Sequence, residues 1–462
     1  MRRFFYEKGG WAMLFSANVF LFAYMPIVLL TYYLSPRWLR NPVVLLVSLF
    51  FYGWGEPVYV LLMVGDILLN YGCGLWIQRC RDCGKSAKPA LITGVAVNLL
   101  LLGYFKYTNF LLGIFGMHVP SISLPIGISF YIFQSMSYVI DVYWNAVPVQ
   151  KNPLTFGTYV TLFPQLIAGP IVRYRDVAEQ LDTRQENISQ FASGVLLFII
   201  GLSKKVLIAN SVGNLWNLLQ NEAGTLAAWA GLLAYTLQIY FDFSGYSDMA
   251  RGLGRMLGFE FMENFNYPYI SASITEFWRR WHISLSTWFK EYVYIPLGGN
   301  RKGMGRQIFN ICIVWALTGL WHGASWNFVL WGVYYACLLI LEKLFLLKIL
   351  NKLPGFLRHI YTMVVVMLGW ALFYFEDMTA LFTFLGRLFT PAATTNLQLI
   401  LGYLPLLLVA SVAATPLVKN AVSKRETPMV HYGKIVAAAA AMLLCVAALA
   451  SQSYNPFIYF RF

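Results

Sequence analysis

Long apolar runs recur along almost the whole chain and restrict it to a fold that lies mostly within a membrane. At 1.5 Å per residue, about 20 apolar residues cross the hydrocarbon core of a bilayer as a helix. These runs predict an all-α polytopic membrane protein with about ten to twelve passes. The candidate spans are 11–34, 42–52, 58–77, 91–115, 122–143, 156–168, 191–208, 226–241, 308–320, 328–346, 360–375, 397–412 and 435–449.

Several of these runs are too short to cross a bilayer alone. The run 42–52 is one, and 156–168 is another, because it contains Pro164 and precedes Pro170. Irregular backbone at membrane depth is tolerated only where protein or water satisfies its polar groups. We therefore expect such segments to be re-entrant, or to be broken helices that line a cavity.

The first run follows Met1-Arg2-Arg3 without a convincing small-residue cleavage site, so it predicts a retained helix.

The composition agrees with a membrane-embedded chain. Of 462 residues, 59% are hydrophobic and only 12% are charged, whereas a soluble domain carries about 25% charged residues. The net charge of +14 is scattered between the apolar runs. This pattern indicates basic loops attracted to anionic membrane lipid, and no nucleic-acid partner. Since no soluble domain of useful size is apparent, we predict one membrane-embedded domain over 1–462.

The six cysteines indicate neither a disulfide framework nor a metal site. Cys312, Cys337 and Cys445 lie within apolar runs, where cysteine is a small core residue. Cys80 and Cys83 form a C-x-x-C pair in a basic segment. A zinc site would need two more ligands, and no second pair or nearby histidine follows. We expect no metal and no tightly bound cofactor.

The segment 242–306 differs from the rest because it mixes charged, aromatic and glycine residues. Ser273, with Glu276 three positions later, has the capping-box arrangement of a helix start. The helix predicted over 273–294 is too polar to span and too aromatic for a free loop, so we expect it to be amphipathic and interfacial or partly buried. Its interleaved basic and aromatic residues include Trp278, Arg280 and Trp281.

His322 lies in the apolar run 311–333, whose only other ionisable side chain is the thiol of Cys312. A charged residue there costs about 2.5–3.5 kcal/mol on insertion scales, and a neutral imidazole less. Neutral imidazole can accept and return a proton near pH 7. We therefore predict that His322 is a general base in a small polar pocket. The alternative is a histidine satisfied by a helix carbonyl or by water. The pocket residues near it are Trp321, Ser325 and Asn327.

His282 is the second candidate for chemistry. On a continuous helix Trp278, His282 and Ser286 would share one face, and that face could add a polar group to the same cavity. An interfacial histidine at the level of the lipid headgroups is the equally open alternative.

Two carboxylates follow the apolar run 226–241. Asp242 and Asp248, with Gln238 one turn earlier, are candidate substrate-binding residues because intramembrane carboxylates are functional by default. Ion pairing is the alternative that we favour for both carboxylates. The candidate partners are Arg251, Arg255, Arg279 and Arg280.

Four motifs resemble the membrane-bound O-acyltransferase superfamily. They are YFDFSGYSD at 240–248, NFNYPY at 264–269, EFWRRWHISLS at 276–286 and LTGLWHG at 317–323. The resemblance is greatest to the branch that contains the alginate O-acetylation membrane protein and its peptidoglycan and teichoic-acid relatives. It is densest over 125–342 and extends to most of the chain.

The resemblance implies a helical bundle with re-entrant segments around a central tunnel, with His322 at its constriction and His282 near it. It also implies a bacterial plasma membrane protein that takes an acyl group from a cytosolic thioester, expected to be acetyl-CoA. The group would cross the membrane to an extracytoplasmic surface polysaccharide, and a separate extracytoplasmic acyltransferase usually completes the transfer in this branch. The residues then expected along the substrate tunnel are Gln238, Asp242, Asp248, Trp278, Arg280, Trp281, Ser286, Trp321 and Asn327.

The chemistry of the residues agrees with acyl transfer. Moving an acyl group from sulfur to oxygen requires a base for the hydroxyl and donors for the tetrahedral oxyanion. His322 meets the first need, and His282, Asn327 or a neighbouring indole N–H could meet the second.

Two other classes of function stay open. A transporter or flippase of a lipid-linked glycan would share the many spans, but it would typically show repeat-related halves, which we do not detect. A non-catalytic membrane subunit that anchors a partner enzyme would retain acyl transfer without His322.

Overall fold

The computed structural model describes residues 13–117, 122–167, 169–391, 397–423 and 427–451. These residues form helices joined by turns, with no strand among them, which confirms the predicted all-α polytopic membrane fold. Met1-Arg2-Arg3, the start of the run 11–34 and Ala168 lie outside the described residues.

The helices of the first part of the chain are α1 Met25–Leu34, α2 Arg40–Gly55, α3 Tyr59–Asp82, α4 Lys88–Leu102, α5 Thr108–Ile114, α6 Ile128–Tyr143, α7 Pro153–Thr161, α8 Phe163–Leu166, α9 Tyr174–Thr183 and α10 Ile188–Ser203. Those of the second part are α11 Asn210–Leu219, α12 Thr225–Met256, α13 Ile274–Arg280, α14 Ile283–Phe289, α15 Gly303–His322, α16 Trp326–Leu341, α17 Leu347–Leu350, α18 Gly355–Tyr374, α19 Met378–Arg387, α20 Leu397–Ala413, α21 Leu417–Ser423 and α22 Pro428–Ser451.

Five helical segments of the described chain are long and apolar enough to cross a membrane. Several other apolar runs form shorter helices, such as Phe20–Leu34 and Leu397–Ala413. The five segments are Tyr59–Asp82, Lys88–Ile114, Ile188–Leu219, Gly355–Tyr374 and Pro428–Ser451. The prediction of about ten to twelve passes therefore exceeds the number of helices of full spanning length among the described residues.

By its internal contacts the chain divides into two compact units. The first contains Met1–Phe198 and Tyr246–Met262, and the second contains Ile199–Gly245 and Glu263–Phe462. The single domain inferred from the sequence stays a prediction.

In the first unit, α6 is buried along almost its whole length. It packs against α3 at Gly74, where a Cβ would come 2.5 Å from the Tyr138 hydroxyl, so only glycine permits this approach. The predicted break in the run 156–168 is confirmed, because α7 ends at Thr161 and the chain turns at Leu162 before α8.

In the second unit, α15 and α16 pack as a tight antiparallel pair. A Cβ on Gly332 would come 2.5 Å from the carbonyl oxygen of Trp315, and a Cβ on Gly319 would overlap the carbonyl oxygen of Phe328. Glycine at both positions lets the two backbones touch. This contact determines where the C-terminal end of α15, which is His322, lies against α16.

Candidate active site

His322 is the last residue of α15, and its side chain is buried. Its ring lies 5.0 Å from the ring of Trp331 on α16 and 5.3 Å from that of Phe373 on α18, measured between centroids. Gly323, in an extended conformation, ends the helix directly after it. The predicted histidine in an apolar setting is therefore enclosed by aromatic rings from two other helices.

His282 does not lie within a continuous helix, so that part of the prediction is wrong. Helix α13 ends at Arg280, Trp281 is extended, and His282 has a φ of +46° before α14 begins at Ile283. This left-handed conformation is uncommon for a residue with a Cβ and persists only where neighbours hold it. The shared face of Trp278, His282 and Ser286 is lost, and Ser286 is exposed while His282 is buried.

Asn264 holds the break in place. Its backbone carbonyl accepts from the N–H of Ile283 at 3.0 Å, and its side-chain Oδ1 accepts from the N–H and hydroxyl of Ser284 at 3.1 and 2.9 Å. The same Oδ1 lies 3.1 Å from Nδ1 of His282. Sequence reasoning placed Asn264 only in a family motif, since nothing in its spacing from His282 indicates that the two side chains meet.

These contacts determine the tautomer of His282. A backbone N–H can only donate, so the Asn264 atom facing Ser284 must be the oxygen, and Nδ1 of His282 must donate to it. Burial lowers the pKa of His282, which keeps the ring neutral near pH 7. The neutral ring then carries its proton on Nδ1, and Nε2 is the basic nitrogen.

Trp321 connects the two histidines. Its ring lies 5.8 Å from that of His282 and 5.1 Å from that of His322, between centroids. The structure thus brings the two predicted catalytic residues against one indole, although His282 and His322 are distant along the sequence.

Three buried or half-buried donors, one of them on a ring that contacts His322, have no hydrogen-bond partner among the described residues. They are the indole N–H groups of Trp278 and Trp331 and the hydroxyl of Tyr335. The three rings contact one another, and Trp331 also contacts His322. Trp331, a ring partner of His322, was not predicted from the sequence, because one tryptophan in an apolar helix resembles any other core residue.

Other predicted site residues are engaged in structural contacts. Asn327 is buried, donates from Nδ2 to the carbonyl oxygen of Phe373 at 3.1 Å and accepts from the Ser325 hydroxyl. Arg280 pairs with Glu276 at 2.9 Å. The Trp281 ring packs 4.7 Å from that of Trp370 on α18.

Asp242 has a partner that sequence reasoning did not anticipate. Its Oδ1 lies 2.7 Å from Nζ of Lys205, and both side chains are buried. Lys205 lies in a π-helical turn, Lys204–Ala209, and also donates to Asn210 at 2.9 Å. Lys205 is distant from Asp242 in the sequence and is not among the arginines proposed as its partners.

The two remaining candidates, Gln238 and Asp248, make other contacts. Gln238 is half-buried and packs on Gly213, where a Cβ would overlap its side-chain amide. Asp248 belongs to the first unit and pairs with Arg251 at 3.5 Å, which confirms the ion pair favoured for it. Within the described ranges, no three His, Cys, Asp or Glu side chains are close enough to hold a metal ion.

Together, the described residues form an all-helical membrane fold in which two buried histidines contact one indole ring. The model of the membrane-bound O-acyltransferase family matches residues 145–384. The chain belongs to this family and is an O-acyltransferase with several membrane passes.

Its relatives are named for alginate, peptidoglycan and teichoic acid. The probable alginate O-acetylase AlgI of Pseudomonas putida is 41% identical over 97% of this chain and 100% of the relative. The peptidoglycan O-acetyltransferase of Helicobacter pylori is 35% identical over 78% of this chain and 77% of the relative. The teichoic acid D-alanyltransferase of Bacillus subtilis is 28% identical over 48% of this chain and 59% of the relative.

Proposed function

We propose that this protein is a plasma membrane O-acetyltransferase of a bacterium, which moves acetyl groups from cytosolic acetyl-CoA to an extracytoplasmic polysaccharide. The names of its relatives support acetyl as the acyl group and a surface glycan as the acceptor. The observation that carries the proposal is His322, a buried imidazole enclosed by aromatic rings at the end of α15.

His322 acts as the general base in this proposal. It accepts the proton of the attacking hydroxyl as the oxygen bonds to the thioester carbon. Collapse of the tetrahedral intermediate breaks the carbon–sulfur bond, and His322 returns the proton to the leaving thiolate. One ester and one thiol replace one thioester and one alcohol, so no further reactant is required.

The oxyanion needs a donor close to this base. In the tautomer that Asn264 holds, Nε2 of His282 carries no proton and so cannot donate. Asn327 already donates to Phe373. We therefore assign this role to the indole N–H of Trp331, which is buried, contacts the His322 ring and has no partner among the described residues. Nε2 of His282 is then an acceptor that orients the substrate hydroxyl.

We further propose that the attacking hydroxyl at His322 is presented from the extracytoplasmic side by a separate acyltransferase, which carries the acetyl group as an ester and then passes it to a hydroxyl of the glycan. In this arrangement the membrane protein supplies the crossing step and the partner supplies acceptor specificity. The partner is part of the proposal because the resemblance to the alginate O-acetylation branch implies it.

The donor is tested in inverted vesicles that contain this protein and its partner. Vesicles supplied with labelled acetyl-CoA are expected to accumulate label on the partner or the glycan, whereas labelled acetyl phosphate should give none. Label from acetyl phosphate alone would contradict the proposed donor. No label from either compound would contradict acetyl transfer and make glycan transport the next function to test.

A further inference from the structure

Glu342 is a buried carboxylate that the proposed chemistry does not use. Only 1% of its surface is exposed. It follows α16 directly and begins a π-helical turn, Glu342–Leu346. Such turns insert one extra residue into a helix and are frequent at functional sites.

The carboxylate of Glu342 accepts hydrogen bonds from the first residues of α13. Its Oε1 accepts from the N–H of Ile274 at 2.7 Å, and its Oε2 accepts from the N–H and the hydroxyl of Thr275 at 2.8 and 2.7 Å. The hydroxyl of Tyr361 on α18 lies 3.3 Å from Oε1. One side chain therefore connects α13 to both α16 and α18.

No cationic side chain takes part in these contacts. In the described ranges, every hydrogen bond to Glu342 comes from a backbone N–H or a hydroxyl. A buried charge is expensive unless hydrogen bonds compensate it, and the N-terminus of a helix is favourable for a negative charge. The carboxylate and the start of α13 therefore stabilise each other.

The end of α13 leads directly to the strained histidine. Trp281 and His282 follow its last residue, Arg280, so a shift or rotation of α13 moves the His282 ring. The other two helices that Glu342 contacts carry the ring partners of His322, namely Trp331 on α16 and Phe373 on α18. Glu342 thus contacts α13, which leads to His282, and adjoins α16 and α18, which carry the rings around His322.

We infer that Glu342 is a positioning residue: by holding the start of α13 against α16 and α18, it sets the placement of His282 relative to the aromatic enclosure of His322. This inference rests on the proposed function for its activity readout, and on the structure alone for its conformational readout.

The kinetic test compares Glu342→Gln and Glu342→Asp with the wild type in the acetyl-transfer assay. We expect Glu342→Gln to lower kcat by about 10- to 100-fold, because a misplaced catalytic group has effects of that size, with little change in KM for acetyl-CoA. Glu342→Asp keeps the charge and should recover part of kcat. Asp377→Asn is the matched control, since Asp377 caps α19 through the N–H of Thr379 at 2.8 Å and should keep wild-type kcat.

A double-substitution cycle separates positioning from general loss of structure. If Glu342 acts through His282, Glu342→Gln should reduce the rate little further in a His282→Ala background. Effects that multiply, or a wild-type kcat for Glu342→Gln, would overturn the inference. Should Glu342→Gln fail to fold, Thr275→Val removes one of the donors to Oε2 and serves in the same cycle.

Hydrogen exchange provides the readout that does not depend on activity. Peptides that cover 274–289 should exchange faster in Glu342→Gln than in the wild type, while peptides from α19 should not change. Unchanged exchange over 274–289 would overturn the inference. Faster exchange in a protein whose wild type transfers no acetyl would support the positioning role and contradict the proposed function instead.

Discussion

The side-chain oxygen of Asn264 lies 3.1 Å from Nδ1 of His282 and so decides which nitrogen of that ring is basic. The same oxygen is fixed by the backbone N–H of Ser284 at 3.1 Å. The tautomer is thus determined by a backbone donor that cannot reverse its role. A single asparagine therefore shapes both the bend after α13 and the chemistry of the histidine at that bend.

Replacing Asn264 with alanine should remove the contact that keeps the proton of His282 on Nδ1. It should also weaken the hydrogen bonds that hold the left-handed backbone of His282. We expect acetyl transfer to fall by about 10- to 100-fold because the reacting groups are no longer held in place. The assay is label transfer from acetyl-CoA at equal amounts of folded protein. Asn266→Ala is the control, since Asn266 is exposed and contributes backbone groups to this turn. Equal losses in both variants would contradict the role of Asn264.

The packing of α15 on α16 gives a second prediction. Gly332→Ala places a Cβ 2.5 Å from the carbonyl oxygen of Trp315, so the helices must separate. Overpacking of this kind costs about 1–3 kcal/mol, and we expect a lower melting temperature together with weaker acetyl transfer. Gly305→Ala in α15 is the control, because a Cβ there has open space and alanine favours helix by about 0.5–1 kcal/mol. A Gly332→Ala protein as stable as Gly305→Ala would refute this prediction.

Much of this architecture is predictable from the sequence. Apolar runs predict helices because a bilayer leaves few alternatives, and Pro164 correctly marks a broken segment. Ser273 correctly marks the start of α13, where its hydroxyl accepts from the N–H of Glu276 at 3.0 Å.

The contacts that build the site are not predictable in the same way. Nothing local in 276–286 indicates a break, because the break depends on hydrogen bonds to Asn264, which lies outside that helix. The partners of Asp242 and of Glu342's carboxylate are likewise distant along the chain. Helical periodicity places residues on a face, and only tertiary contacts determine what that face meets.

The buried pair of Lys205 and Asp242 allows a test by paired substitution. Lys205→Met or Asp242→Leu alone should destabilise the protein, because breaking a buried pair costs about 3–5 kcal/mol. The double variant Lys205→Met with Asp242→Leu should recover most of that stability, since no charge stays buried. Denaturant unfolding of all four proteins in detergent gives the coupling free energy. A double variant that loses the sum of the single effects would contradict direct pairing.

In the first unit, Glu186 makes stability depend on pH. Burial raises the pKa of Glu186. Hydrogen bonds from Tyr32 and Arg40 and the charge of Arg40 lower the pKa by more than burial raises it, so the pKa in the folded protein lies below its usual value. The stabilisation is therefore present above the unfolded pKa of about 4.3 and is lost as pH falls through the folded pKa. Glu186→Gln should lower the melting temperature near neutral pH, and its difference from the wild type should shrink below about pH 4. A difference that does not change with pH would exclude this linkage.

The most direct test of the central claim is labelling from acetyl-CoA in inverted vesicles that contain the partner protein, with wild type, His322→Ala and His431→Ala compared. His431 is exposed on α22 and its described ring contact is with Tyr432, so its variant is the matched control. We expect label on the partner or the glycan with the wild type and His431→Ala, and almost none with His322→Ala. Equal labelling with all three proteins would contradict His322 as the base.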